Sequence, residues 1–158
     1  MTDDGTLVIP GPDSPVTLQE ITRKTLRQIL DLRVSEYQRN FVADNAVSIA
    51  QAHFSDVAWF RAVYAGDTPV GFVMVHDEPA KPEYFLWRFM IDQRFQGKGF
   101  GSKALQQVIA YVKSRPNASF METSVVQKPG GPQPFYERAG FRLTGAMEEG
   151  EAVMRLDF

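Results

Sequence analysis

The chain has 158 residues, of which 44% are hydrophobic and 23% charged, and its net charge is −2 at neutral pH. This length is typical of one globular domain. The slight acidity argues against a nucleic-acid partner, because such proteins usually carry an excess of Lys and Arg. The absence of cysteine excludes disulfides, thiolate metal sites and a cysteine nucleophile. The two histidines, His53 and His76, lack the spacing of metal ligands, so no metal is expected.

The first 15 residues are rich in proline and glycine and are expected to form a flexible arm before a single domain over residues 16–158. The chain start has neither the basic region nor the apolar region of a signal peptide. No apolar run is long enough to cross a bilayer. A cytoplasmic protein without a membrane partner is therefore expected.

In the first half of the chain, alternation of apolar and polar residues predicts a strand over 16–21. From Thr25 the apolar spacing changes to that of a helix, which is predicted to carry on one face Leu26, Ile29, Leu30, Val34 and Tyr37. Asp44 is expected to cap a second helix that continues to His53. Strand-like segments at 59–64 and 70–75 flank a Gly-containing turn and predict a hairpin.

The second half begins with an aromatic strand over 84–91. A helix follows with its apolar residues between Ala104 and Val112, and then a strand at 119–126. A short helix through 135–138 is expected to stop at Gly140. Two strands, near 141–143 and 152–156, complete the chain. This order predicts an α/β protein in which helices cover both faces of a mixed sheet.

A glycine-rich segment joins the aromatic strand to the following helix and reads Gln96-Gly97-Lys98-Gly99-Phe100-Gly101-Ser102. Glycines let the main chain approach a ligand closely. The N-H groups at a helix start, helped by the helix dipole, bind anions. The segment is therefore a candidate phosphate-binding loop, and Lys98 adds a cation.

Three interpretations of this segment compete. A helix that merely begins with glycines is disfavoured, since each glycine costs about 1 kcal/mol relative to alanine. A dinucleotide site requires a third glycine where Ser102 stands, and a nucleoside-triphosphate loop requires Gly-Lys-Ser/Thr at a spacing that is absent. The third pattern, Gln/Arg-x-x-Gly-x-Gly/Ala, is matched by Gln96, Gly99 and Gly101.

On this motif, and on Phe135-Tyr136-Glu137-Arg138-Ala139-Gly140-Phe141 about 35 residues later, the chain resembles the GNAT acetyltransferase superfamily from about Val16 to Phe158. The resemblance implies the GNAT acyl-CoA N-acyltransferase fold, with a mostly antiparallel twisted sheet of about seven strands. It also implies acetyl-CoA as co-substrate. The pyrophosphate would bind the main chain of 96–102, and the pantetheine arm would pair with the strand end Phe89-Met90-Ile91.

The second signature of the family implies a role for Tyr136 beside the sulfur, as the general acid, with Phe135 as a further contact of the co-substrate. A phenol with a pKa near 10 is able to protonate a departing thiolate. A packed aromatic residue is the alternative for Tyr136. Many members carry an asparagine seven residues before this tyrosine, where this chain has Pro129. The loop 128–132 must therefore position the co-substrate differently.

A narrower resemblance, to bacterial spermine/spermidine acetyltransferases of the diamine type, is carried by segments at 36–46, 86–92, 123–126 and 150–151. It implies a polyamine amine as acceptor, with direct transfer in a ternary complex. The acceptor would contact residues on the first helix, the second helix and the aromatic strand, namely Glu36, Asn45, Trp87 and Arg88. Arg88 would repel a polycation unless it is paired, with Glu36 or Asp92 as the expected partners.

The acceptor amine must lose a proton before it attacks, because a free alkylamine has a pKa of about 10.4. Glu83, at the start of the aromatic strand, is the first candidate for the base, and Glu122 and Glu36 are the others. The identity of the acceptor amine also stays open. The alternatives to a polyamine are a protein or peptide, an amino acid or an antibiotic amine. A non-catalytic sensor of acyl-CoA is a further alternative, and a homodimer is expected from the family alone.

Overall fold

Seven strands form one sheet in the order β1-β2-β3-β4-β5-β7-β6 in the computed structural model, which describes residues 8–158. Every neighbouring pair is antiparallel except β4 and β5, which run parallel. The strands are β1 (Val16–Gln19), β2 (Ala58–Ala65), β3 (Thr68–Glu78), β4 (Glu83–Ile91), β5 (Phe120–Val125), β6 (Arg142–Glu148) and β7 (Glu151–Asp157). The expected mixed, mostly antiparallel sheet of seven strands is confirmed.

In the described part of the chain, four α-helices and two short 3-10 turns connect the strands. The helices are α1 (Leu26–Leu30), α2 (Asn45–His53), α3 (Phe100–Lys113) and α4 (Gln133–Arg138), and the 3-10 turns are Tyr37–Asn40 and Gln93–Phe95. No helix between residues 8 and 158 has both the length and the apolar character needed to cross a membrane. Residues 8–15 form neither a helix nor a strand. The first seven residues of the expected arm lie outside the described residues.

The core lies on both faces of the sheet, because successive side chains of a strand point to opposite sides. In β3, Phe72 and Met74 pack towards α1 and α2, whereas Val73 and Val75 pack towards α3 and α4. All four side chains are fully buried. Helices therefore cover both faces, as the sequence pattern predicts.

The first helix is shorter than predicted, because α1 ends at Leu30 and does not continue to Tyr37. Hydrogen bonds to a distant part of the chain replace the helical ones. The Arg33 N-H donates to Asp92 Oδ2 over 2.8 Å, and the Gln93 N-H donates to the Arg33 carbonyl over 2.8 Å. The apolar periodicity of this segment predicted too long a helix, because tertiary contacts redirect the chain after about one and a half helical turns.

The cap of α2 also differs from the prediction. Asp44 does occupy the N-cap position, but its side chain makes no capping hydrogen bond. Its carboxylate lies 3.8 Å from Arg39 Nη2 instead, and its main-chain carbonyl accepts from the Ser48 N-H. The helix therefore begins where the sequence indicates, for a different reason.

Asp92 is a buried carboxylate that joins the end of β4 to the segment after α1, and it is 1% exposed. Burial alone would raise the pKa of Asp92. The Arg94 side chain and the N-H groups of Arg33 and Arg94 outweigh burial, so that the pKa of Asp92 is lowered. The ionised form is therefore the one that the fold stabilises.

We expect Asp92→Asn to lower the free energy of unfolding by about 2–4 kcal/mol at pH 7, because a buried charge pair loses one partner. The pKa of Asp92 is lower in the folded chain than in the unfolded chain. The stabilisation is therefore present above the unfolded pKa and is lost as the pH falls through the folded pKa. Denaturant unfolding from pH 3 to 7 measures both. The exposed Asp67→Asn is the control, and equal stability curves for the two variants would contradict this role.

Candidate functional site

The cleft of the molecule opens where β4 and β5 separate. The two strands pair only through Phe85 with Glu122 and Leu86 with Thr123, although β4 continues to Ile91. The cleft has a volume of about 1470 Å³. Beyond Leu86 the β5 side of β4 has no strand partner within residues 8–158, so its main-chain groups are available to a ligand.

A β-bulge lies at the point of separation. Leu86 pairs with Val75 and Arg88 pairs with Met74, so that Trp87 is an extra residue in β4. A bulge bends its strand and re-aims side chains. Here the bulge puts Trp87 at the cleft, and the Trp87 side chain also packs against the core between the sheet and helices α1 and α2.

The glycine segment forms a tight loop that enters α3. Gly97 and Gly99 adopt φ values of +78° and +85°, a region that residues with a Cβ avoid. Helix α3 begins at Phe100, and its 14 residues give a full helix dipole that points its positive end at the cleft. A Cβ on Gly101 would meet Ile91 and Phe135 at ordinary contact distances of 3.5 Å. The loop therefore has the shape of an anion site.

Nearly all residues assigned to the co-substrate line this cleft. They are Phe89, Met90, Ile91, Gln96, Gly97, Gly99, Phe100, Gly101, Ser102, Phe135 and Tyr136. Lys98 is half-buried and does not line it. Gln96 uses its side chain within the protein, since Nε2 donates to the Ile91 carbonyl over 2.8 Å.

Tyr136 lies at the base of the cleft, on α4, and is 6% exposed. Its ring packs edge-on against Phe135 and Phe141, with centroids 5.3 and 5.5 Å away. Burial strongly raises the pKa of Tyr136, and an interaction with the Thr123 side chain opposes this in part. Thr123 Oγ1 donates to the Leu86 carbonyl over 3.0 Å. Tyr136 is thus a protonated phenol close to the point where β4 and β5 separate.

Arg88 faces the cleft and is paired differently from the expectation. Its Nη2 donates to Gln51 Oε1 over 3.0 Å, and its Nη1 donates to the Trp87 carbonyl over 3.0 Å. Burial lowers the pKa of Arg88, and the charges of Glu151 and Glu149 oppose that shift. The expected partners were wrong, because Glu36 pairs with Arg39 and Asp92 pairs with Arg94.

A set of carboxylates lines the same cleft on the side of the C-terminal strands, and the sequence reasoning missed most of it. The members are Glu122, Glu148, Glu149 and Glu151. Glu122 pairs with Arg155 over 3.1 Å, while no Lys or Arg among residues 8–158 lies within ion-pair distance of the other three. The run Glu148-Glu149-Gly150-Glu151 at the β6–β7 turn was the available signal. We call these four residues the acidic rim.

The remaining predicted residues are scattered. Glu83 lines the cleft at the start of β4, where it is exposed and close to His76 and Glu78. Glu36 is exposed and lies outside the cleft lining. Asn45 is 2% exposed and its Nδ2 donates to the Ile29 carbonyl over 2.9 Å, so its amide joins α2 to α1 instead of facing the cleft.

These features agree with the comparisons to known proteins. The acetyltransferase (GNAT) family matches residues 25–141, and the chain belongs to this family. Spermine/spermidine N(1)-acetyltransferase of Bacillus subtilis (strain 168) is 30% identical over 149 residues, which cover 88% of this chain and 96% of that protein. The resemblance to GNAT acetyltransferases inferred from the motifs is confirmed.

Solved structures show the same fold at low identity. The GNAT domain of S. lividans PAT superimposes with a TM-score of 0.75 at 15% identity, covering 96% of this chain and 95% of that one. PaiA N-acetyltransferase from Thermoplasma acidophilum, solved in complex with coenzyme A, has a TM-score of 0.69 at 12% identity and covers 91% and 99%. The chain therefore has the GNAT acetyltransferase fold.

The glycines of the loop are expected to differ in their tolerance of alanine. Gly99→Ala should lower the free energy of unfolding by about 1–2 kcal/mol, because its positive φ is costly for any residue with a Cβ. Gly101→Ala should leave stability unchanged or slightly raised, because Gly101 is helical and its Cβ has room. Thermal and urea unfolding measure the difference. Equal losses at both positions would contradict the loop geometry.

Proposed function

We propose that the protein transfers the acetyl group of acetyl-CoA to a primary amine of a polyamine such as spermidine or spermine. The observation that carries the proposal is the cleft between β4 and β5. It has the glycine loop and the start of α3 at one end, the buried Tyr136 at its base, and the acidic rim on the side of the C-terminal strands. The resemblance to polyamine acetyltransferases supports the acceptor.

The residues present fit acetyl-CoA in two respects. The N-H groups at the start of α3 and the positive φ of Gly97 and Gly99 suit a pyrophosphate. The unpartnered edge of β4 over Phe89–Ile91 suits an extended chain of amides, which would add to the sheet like a strand. When bound there, acetyl-CoA supplies an acetyl group activated as a thioester. Main-chain N-H groups of this edge would polarise its carbonyl.

Tyr136 is the proposed proton donor to the departing sulfur. Burial holds the phenol protonated through the whole range of physiological pH. Tyr136 interacts with Thr123, whose hydroxyl donates to the carbonyl of Leu86, the last residue of β4 that pairs with β5. A phenol in this place supplies the proton that a thiolate of pKa about 8.5 takes up on leaving.

Tyr136→Phe is expected to lower kcat about 100-fold or more, because general acid catalysis is lost, while the affinity for CoA stays within about twofold. The hydroxyl is the only group removed, so packing against Phe135 and Phe141 is retained. Steady-state kinetics and calorimetry of CoA binding measure the two effects. Tyr111→Phe, which removes a hydroxyl bonded to Asp77 outside the cleft, is the matched control. An unchanged kcat would remove Tyr136 as the acid.

The ammonium group of the substrate must lose a proton before it attacks, and this proton leaves by another route. Glu83 is the proposed general base that takes it up. Glu83 precedes Leu86 by three residues of extended strand, a distance of about 10 Å. The transfer therefore requires a water chain and not direct contact. His76 and Glu78 lie beside Glu83, and one ring nitrogen of the histidine and one carboxylate oxygen of each glutamate lie within 4.8 Å of one another. The three side chains are therefore able to share the proton.

The acidic rim is the proposed binding site for the distal ammonium groups of the polyamine. Glu148 and Glu149 are exposed and Glu151 is half-buried, and these three are free of Lys and Arg partners within the described part of the chain. Carboxylates without a cationic partner attract a polycation without a competing ion pair. Arg88 lies in the field of the same carboxylates, which offsets its repulsion of the substrate.

The double variant Glu149→Gln/Glu151→Gln is expected to raise the KM for spermidine about two- to tenfold, since exposed charge pairs contribute about 0.2–1 kcal/mol each. The KM for a monoamine should change little. Glu137→Gln, exposed on α4 and outside the cleft, is the control. Thiol release from acetyl-CoA measures the KM of the double variant, of the control and of the wild-type chain.

A panel of acceptors tests the amine class. Turnover with spermine or spermidine supports the proposal, and turnover only with amino acids or peptides overturns the polyamine acceptor. A preference for acceptors that carry a carboxylate would indicate that Arg88 binds it. CoA binding without turnover of any amine would favour a sensor.

A further inference from the structure

One short segment contacts both loops at the co-substrate end of the cleft. It comprises Tyr37–Asn40, the 3-10 turn, and Phe41 after it, and we call it the clasp (residues 37–41). On one side the clasp reaches Gln96 at the start of the glycine loop. On the other side it reaches the β5–α4 loop at Pro129, Gly130 and Gly131. Neither contact belongs to the sheet or to a helix.

The contact with the glycine loop is a reciprocal pair of amide hydrogen bonds. Gln38 Nε2 donates to Gln96 Oε1 over 3.0 Å, and Gln96 Nε2 donates to Gln38 Oε1 over 2.9 Å. The second hydrogen of Gln96 Nε2 goes to the Ile91 carbonyl. The amide of Gln96 is thus fully used within the protein, and its role is to shape the loop between Ile91 and Gly97. Gln38 fixes the orientation of that amide.

Gln38 itself is held by its own turn. The Ser35 N-H donates to Gln38 Oε1 over 3.2 Å, and the Gln38 N-H donates to Ser35 Oγ over 3.3 Å. Its side chain is therefore oriented before it meets Gln96. This arrangement suits a positioning group, because little rotamer freedom remains to be lost.

The contact with the β5–α4 loop combines a hydrogen bond with close packing. The Tyr37 hydroxyl donates to the Pro129 carbonyl. The Tyr37 ring lies so near Gly130 that a Cβ there would approach it to 3.1 Å, and Phe41 lies 3.4 Å from the Cβ position of Gly131. A tyrosine from another element therefore holds this loop through its main chain.

We propose that Tyr37 and Gln38 are positioning residues for acetyl-CoA, and that the clasp sets the affinity for this co-substrate by holding both loops in their binding shape. The inference rests on the proposed function of the cleft. Loops held in the bound shape before binding lose less conformational entropy when the ligand arrives. The two loops adjoin separate elements, α3 and α4, and the clasp contacts both of them.

The clasp contributes little to the fold itself, which makes the inference testable. The 3-10 turn has no buried residue, and the Tyr37 side chain is 53% exposed. Removing one of its polar contacts therefore leaves the core intact. A loss of co-substrate affinity without a loss of stability is the effect that distinguishes positioning from a structural role.

The experiment is calorimetric titration of the full chain with CoA, which needs no knowledge of the acceptor amine. Tyr37→Phe removes the hydrogen bond to Pro129 and keeps the size of the side chain. Gln38→Met also keeps the size, and it removes the pair of bonds with Gln96 and the bond from the Ser35 N-H. Tyr37→Phe is expected to weaken CoA binding about two- to tenfold, the effect of one net hydrogen bond, and Gln38→Met at least as much, with Tm unchanged within about 2 °C. Tyr111→Phe and the exposed Gln28→Met are the matched controls, and their CoA affinity should equal that of the wild-type chain.

Two further outcomes decide the inference. In the cycle of Gln38→Met, Gln96→Met and the double variant, the loss of CoA affinity in the double variant should be smaller than the sum of the two single losses, because both substitutions break the same pair. Additive losses would overturn the role of the clasp. CoA affinities of Tyr37→Phe and Gln38→Met equal to those of the controls would do the same, and both outcomes would leave the proposed function of the cleft intact. A wild-type chain that binds no CoA would overturn the proposed function, and the role of the clasp with it.

Discussion

The parallel pairing of β4 and β5 ends after Leu86 and Thr123, and the cleft depends on this early end. Had the strands stayed together, the main-chain groups of β4 beyond the bulge would be used within the sheet. Because they separate, the edge of β4 that leads to the glycine loop has no strand partner among the residues that the structure describes. The bulge at Trp87 and the buried Tyr136 lie close to the point where the sheet opens.

Charge divides the cleft into two ends. The start of α3 offers N-H groups and the positive end of a helix dipole, which suits phosphates. The β6–β7 turn offers carboxylates, which suits ammonium groups. Arg88 lies among the groups of the second end, and its partner Gln51 is neutral. The groups that suit an anion and the groups that suit a cation are therefore separate within one cleft.

The sequence predicted best what depends on local pattern. The strand and helix order, the glycine loop that leads into α3 and the short helix that carries Tyr136 all follow from residues close together in the chain. The errors fall where distant residues decide. The helix from Thr25 ends early because Arg33 bonds to Asp92 across 59 positions. Asn45 looked like a substrate ligand, and its amide instead bonds to Ile29. The acidic rim was overlooked because its members come from two separate regions of the sequence.

By itself, then, the sequence determined the family, the order of elements along the chain and the glycine segment before α3, because glycine spacing and apolar periodicity act over a few neighbouring residues. Only the tertiary structure decided which side chains share the cleft. It brought Gln38 to Gln96 and Tyr37 to Pro129 across 58 and 92 positions, and it gave Arg88 a partner that the sequence did not indicate. These contacts depend on how the elements pack, and packing is settled only when the whole core is assembled.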